Sequence, residues 1–475
     1  MRVLTDLEPK NVFSFFEDIC SIPHPSYKEE KISNYLVEFA KARGLEHYQD
    51  ELHNVIIIKE ASEGYEDVEP IILQGHMDMV CEKAPDCDKN MDEEGLDLLI
   101  DGDFISAKGT TLGGDDGIAV AYALAILDDD SLSHPRLEFV CTVCEEVGME
   151  GATGIDVSML KGKKLLNMDS EEEGVMLASC AGGCRADVKL PVERETVSGT
   201  KLTVSLSGLT GGHSGSEIDK GRGNANILMS RLLRDASAPV AIASIDGGRK
   251  DNAIPRECTA QIIVAPDEAA AVKASIEQAA AEIAEEFKAS DPDIKLTVSE
   301  ETDCSESAIS ARVIALIEAL PNGIIRMSRE IDKLVETSLN LGVLKSDDAA
   351  VTLRYAVRSS VGVAKKSLKN QLVCIAGAFA AEVTFEGDYP AWEYKKDSKL
   401  REDMVRIFEE MYGKKPTVEA IHAGVECGLL SGKIEGLDCI SMGPDMYDIH
   451  TTEEKLSISS AKRSYEYILR VIACK

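Results

Sequence analysis

The chain has 475 residues, with 84 acidic against 51 basic side chains and a formal net charge of −33. That length gives material for two or three domains, and 44% hydrophobic with 28% charged residues is the composition of a folded globular chain, not a disordered one. The charge argues against nucleic acid or an anionic membrane surface as partner, because both call for a basic face. No stretch reaches the roughly 20 apolar residues of a membrane span, and the N-terminal MRVLTDLEPKNVF has no apolar core of a secretory signal. The expectation is therefore a cytoplasmic protein with reduced thiols. Its 13 cysteines are odd in number, and Cys141 and Cys144 lie in an apolar run, as buried small hydrophobes do.

In chain order, Val12, Phe15, Phe16, Ile19 and Cys20 recur at helical spacing. Ser26 followed by Glu29 reads as a capping box opening a second helix, which Gly44 stops. Short apolar runs at 55–58, 71–73, 137–143 and 165–168 read as buried strands, with a helix over 118–127 between the second and third. The acidic stretch 86–103 reads as a surface loop. This alternation predicts an α/β catalytic domain with a mostly parallel central sheet flanked by helices. Past about residue 185 the texture changes to half-exposed strands (201–207, 259–265, 295–299, 351–357) and amphipathic helices (226–233, 268–287). It predicts an inserted α+β domain over 187–387, interrupting a first domain made of 1–186 and 388–475, with helices over 400–412 and 459–473.

Four polar clusters each follow an apolar strand-like run, and a fifth lies near the C-terminus. They are His76-Met-Asp78, Asp115-Asp116, Glu145-Glu146, Asp169 and, last, Asp445 to His450. In open α/β sheets, sites form outside the carboxyl ends of the strands, so these segments deliver acids and imidazoles to one sheet edge. Two histidines and several carboxylates suit zinc, with cobalt or manganese as alternatives. Two ions need a bridging carboxylate and terminal ligands on either side. His76, Asp115, Glu146, Asp169 and His450 supply that set, with Asp115 bridging. Asp78, two residues from His76 on an extended segment, is placed to orient the imidazole, and Glu145 to act as general base. Acids after strands also cap helices, and Asp115 or Asp116 can do that instead.

The set resembles the M20 family of metallopeptidases: its order of His-x-Asp, Asp, Glu-Glu, Asp and a distant His is the family's. The segments GGHSGSEIDKGRGNANI (211–227) and DNAIPR (251–256) resemble the family's lid motifs. Within the family, GTTLGGDDGI, NMDSEEEG and HAGVECG resemble the dipeptidase branch that cleaves Xaa-His. The resemblance implies hydrolysis of small unblocked dipeptides by a metal-bridging hydroxide, and a homodimer formed through the lid. It assigns His213 to the oxyanion, and Asn252 and His422 to the substrate backbone or terminus. The lid strand after DNAIPR lacks the arginine that many relatives use for the substrate carboxylate, and Arg358 is the substitute. The competing readings are a tripeptide aminopeptidase or an N-acyl-amino-acid deacylase on the same scaffold and, more remotely, a non-catalytic binding homologue.

Overall fold

The computed structural model describes residues 2–475. Two compact units form. One contains the chain up to Ser179, Tyr394–Ala420 and Val425–Lys475; the other contains Cys180–Glu393 and Ile421–Gly424. The second unit runs slightly beyond the expected 187–387, because the strand Gly182–Pro191 pairs with Ala350–Ser359 and Glu382–Tyr389. Residues 421–424 bring His422 into it as well.

The first unit is built on an eight-stranded sheet. Its centre is four parallel strands in the order Leu137–Thr142, Ile71–His76, Lys164–Asn167 and Asp438–Ser441. Val55–Lys59 adds antiparallel beside Leu137–Thr142. Strands covered on both faces must be apolar throughout, and Ile71–Leu73, Leu137, Phe139–Cys141 and Leu165–Leu166 are almost fully buried. The helix Gly114–Asp128 is apolar on every face from Ile118 to Leu127 and is accordingly buried all round. It packs against the helices Lys10–Cys20 and Ile458–Ile472 and the strand Ile71–His76. Gly75 permits that approach: a Cβ there would lie 2.9 Å from Ala119 Cβ and 2.5 Å from Asp116 Oδ2.

Two expectations fail locally. The second helix runs Glu30–Arg43 without a side-chain cap. Ser26 Oγ donates instead to Asp78 Oδ2 (2.8 Å), and Glu29 Oε1 accepts from Cys144 N (3.1 Å), so tertiary partners outcompete the capping box. The stretch expected as an acidic loop ends in a hairpin, Leu98–Asp101 against Phe104–Ala107, because apolar Leu98 and Ile105 are buried there.

The second unit holds a nine-stranded sheet in which the described strands pair antiparallel. The helices Ala225–Arg234, Ala269–Phe287, Arg312–Ala319 and Gly362–Ala378 close a separate core around Leu202, Val204, Ile262, Leu341 and Leu353. No disulfide joins cysteines among the described residues. No described helix is long and apolar enough to cross a membrane.

Candidate metal centre

Three adjacent parallel strands bring their chemistry to one sheet edge. Ile71–His76 ends on His76, Leu137–Thr142 leads into Glu145 and Glu146, and Lys164–Asn167 leads to Asp169. Asp115 and Asp116 open the buried helix Gly114–Asp128. His450 comes from the far end of the chain. Its segment is anchored by Glu454, whose carboxylate accepts the N–H groups of Leu112 (2.7 Å), Gly113 (3.2 Å) and Gly114 (2.8 Å). One buried acid thus fastens the His450 segment to the loop that presents Asp115.

The two oxygens of Asp115 face different imidazoles. Oδ1 lies 3.1 Å from His76 Nε2, and Oδ2 lies 3.1 Å from His450 Nε2. Asp169 Oδ1 joins the first side at 3.6 Å from His76 Nε2, and Glu146 Oε1 joins the second at 2.9 Å from His450 Nε2. Two donors each about 2.1 Å from one ion at near-tetrahedral angles stand about 3.4 Å apart. The spacings therefore suit a His–Asp pair on one ion, a His–Glu pair on another, and Asp115 between them. Glu146 Oε1 is buried with His450 Nε2 beside it.

The Asp78 carboxylate is expected beside the His76 imidazole, and the nearer partner is the Asp78 backbone carbonyl. The Nδ1 of His76 is 3.0 Å from the Asp78 backbone carbonyl and 3.4 Å from its Oδ1. Meanwhile the carboxylate accepts Glu145 N (3.0 Å), Glu146 N (3.3 Å) and Ser26 Oγ (2.8 Å). It therefore holds the turn that aims the two glutamates.

The charge balance supports cations. Asp115, Asp116, Glu145, Glu146 and Asp169 gather around two imidazoles, and buried like charges at such density are costly without counter-ions. Burial, and then repulsion from Asp169, pushes the Glu145 and Asp116 carboxyls well above their ordinary range. Burial lifts Asp169 to about 6 against the opposing pull of His76. Hydrogen bonding to Asp115 and then Glu146 raises His450 to about 10. For His76, burial lowers the imidazole pKa, but the surrounding carboxylates outweigh it and hold the ring well above its usual value. His76–Asp116–Asp169 and His76–Asp115–Glu146 each place three donor atoms within 4.8 Å of one another. The residues fit divalent ions.

Glu426, Gln74 and Thr142 were not singled out from the sequence, and Asp116 only as a neighbour of Asp115 or a helix cap. Asp116 Oδ2 accepts His76 N (3.1 Å) and its Oδ1 is a buried oxygen without a partner. Glu426, fully buried, rises to about 8 because burial disfavours its charge. The lone Gln74 inside the apolar run IILQGH was the legible signal of a polar layer beneath the site.

Within the second unit, His213, Arg358 and His422 meet around Gly215. A Cβ on Gly215 would lie 2.5 Å from the His422 carbonyl, 2.9 Å from His213 Cε1 and 3.2 Å from Arg358 Nε. The Nδ1 of His213 accepts from Gly215 N (3.2 Å) and Ser216 N (3.1 Å), so the ring proton sits on Nε2 and that atom is a donor. Burial and then Arg358 lower its pKa, keeping the ring neutral. His422 Nε2 pairs with Ser338 Oγ at 2.7 Å, and burial lowers this ring to about 3. Asn252 and Arg358 line one cavity of about 320 Å³, where Arg358 Nη1 lies 3.3 Å from Tyr389 Oη.

Comparison with known proteins gives the class of this site. The model of the Peptidase family M20/M25/M40 matches residues 72–473, and the chain belongs to that family of hydrolases. The chain is 36% identical to the cytosol non-specific dipeptidase of Escherichia coli (strain K12), over 97% of its own length and 96% of that protein. The crystal structure of aminoacylhistidine dipeptidase from Vibrio alginolyticus superposes with a TM-score of 0.91 at 34% identity, covering 99% of this chain and 98% of that one. An aminopeptidase from Bacillus cereus shares the fold, with a TM-score of 0.57 at 16% identity over 98% of each chain.

Proposed function

We propose that the protein hydrolyses unblocked dipeptides, Xaa-His among them, using two divalent metal ions, zinc or alternatively cobalt or manganese. The observation that carries the metal reading is Asp115, whose two oxygens each stand 3.1 Å from a different imidazole. The dipeptide reading is supported by the similarity to the Escherichia coli and Vibrio alginolyticus dipeptidases over nearly the whole chain.

His76 and Asp169 would hold one ion, His450 and Glu146 the other, and Asp115 both. When bound, the ions supply charge that polarises the scissile carbonyl and acidifies a water. The chain's own residues do the rest. Glu145 takes the proton of the attacking water and hands it to the leaving amine, a task suited to a carboxyl held above its usual range by burial. Asp78 keeps Glu145 and Glu146 aimed through their backbone N–H groups. The Nε2–H of His213 donates to the developing oxyanion, and Asn252 and His422 hold the substrate backbone or terminus. Arg358, beside Tyr389 in the second unit's cavity, takes the substrate carboxylate.

The reading includes a cytoplasmic location and a homodimer formed through the second unit. The edge strand Gly323–Met327, with Ile324, Ile325 and Met327 exposed, supports the dimer. A substrate panel tests the proposal. Unblocked dipeptides should be cleaved faster than tripeptides or N-acetyl amino acids; the opposite order would reassign the enzyme to an aminopeptidase or a deacylase.

A further inference from the structure

Each strand that delivers a metal ligand carries a buried polar side chain just before it. Gln74 precedes His76 by two residues, Asn167 precedes Asp169 by two, and Thr142 lies four before Glu146. All three are fully buried in largely apolar strands. Backbone pairing already satisfies such strands, so polar side chains there are costly unless they bond to one another. They do, through one acid from elsewhere. Glu426, in the first turn of the helix Glu426–Lys433, accepts Gln74 Nε2 (2.5 Å) and Thr142 Oγ1 (2.6 Å) on the same oxygen, Oε2. Gln74 Oε1 in turn accepts Asn167 Nδ2 at 2.6 Å.

We infer that Glu426 is a positioning residue that locks the three ligand-bearing strands to one another beneath the metal centre. Alternate residues of a strand share a face, and two residues span about 6.6 Å. The network therefore lies one pleat below His76 and Asp169. It fixes the mutual offset of the strands immediately before they release the ligands, where a shift of about 1 Å costs on the order of 10²-fold in rate. The single accepting oxygen makes the bond, not the charge, the working feature. An amide at 426 keeps that oxygen, and a methyl does not.

This inference rests on the metal reading, and its test separates the two. The zinc affinity of wild-type protein, E426A, E426Q and T142V is measured by chelator competition, beside melting temperature and kcat on a dipeptide at saturating zinc. E426A should bind zinc about 10–100-fold more weakly. E426Q should restore affinity to within about threefold of wild type, and T142V, which removes one of the two donors, should lose about 3–10-fold. E426A that melts lower but binds zinc as wild type does would show a structural role only and overturn the inference. E426Q failing as badly as E426A would overturn it too, by showing that the charge matters. Should E426A not fold, E426Q and T142V decide alone: T142V at wild-type affinity overturns the inference. Wild-type protein that binds no zinc overturns the metal reading and this inference with it.

Discussion

Asp78→Ala removes one carboxylate that serves two neighbouring elements. It strips the acceptor from Glu145 N (3.0 Å), Glu146 N (3.3 Å) and Ser26 Oγ (2.8 Å), and the neighbour at 3.4 Å from His76 Nδ1. A largely buried N–H left without its acceptor costs roughly 1–3 kcal/mol, so the two backbone donors alone amount to roughly 2–6 kcal/mol, with water entry reducing the sum. Relaxation of that turn moves Glu145 and Glu146 together. Loss of a partner behind a metal ligand typically lowers affinity or activity by about 10–100-fold, and both quantities should fall here. Asp78→Asn keeps one accepting oxygen and should fall between Ala and wild type. Zinc affinity by chelator competition and kcat on a dipeptide provide the assay, with melting temperature as control. If Asp78→Ala keeps wild-type zinc affinity and turnover while only melting lower, the carboxylate does not position the glutamates.

Three further expectations concern separate parts of the site. His213→Ala should lower kcat by about 10²–10³, as loss of an oxyanion donor does, with zinc content and melting temperature retained; unchanged turnover would confine His213 to shaping its loop. Glu146→Ala should lose zinc, whereas Glu145→Gln should keep it and lose about 10²–10⁴ in turnover; metal analysis beside kinetics reads this, and the reverse pattern exchanges the two roles. In metal-free protein, Glu426 at about 8 and His450 at about 10 hold protons in the folded state that the unfolded chain releases at lower pH. Stability from Glu426 is therefore lost as pH rises from 4.5 to about 8, and stability from His450 as it rises from 6.5 to about 10. Zinc replaces the proton on His450, so the melting-temperature gap between zinc-loaded and metal-free protein should widen between pH 6.5 and about 10; a constant or narrowing gap would contradict the charge balance drawn here.

Much of the first unit was legible because its signals are local. A buried parallel strand is a short apolar run, and a polar residue just past it marks the sheet edge, which is how His76, Glu146 and Asp169 declare themselves. The helix Gly114–Asp128 is legible for the same reason, being apolar on every face. What escaped was decided by partners distant in sequence. Ser26 and Glu29 satisfy the local rule for a helix cap, but Asp78 and Cys144 are better partners than the helix's own N–H groups. Glu426 looks like any acid near a helix start, and only the fold buries it against Gln74 and Thr142. Glu454 likewise reads as a surface acid in a chain with 84 of them, yet it binds three consecutive N–H groups some 340 residues earlier. The end of the inserted unit was blurred because residues 421–424 cross into it for a few residues only.

Asp115 is proposed to hold both of the ions that hydrolysis requires. The direct measurement is a zinc titration of chelator-stripped protein, following bound metal and dipeptide hydrolysis together. Two zinc ions per chain, with hydrolysis absent before the titration and rising as the sites fill, is the predicted result, and Asp115→Ala should abolish both. Full hydrolysis in verified metal-free protein, or two bound zinc ions undisturbed by Asp115→Ala, would contradict it.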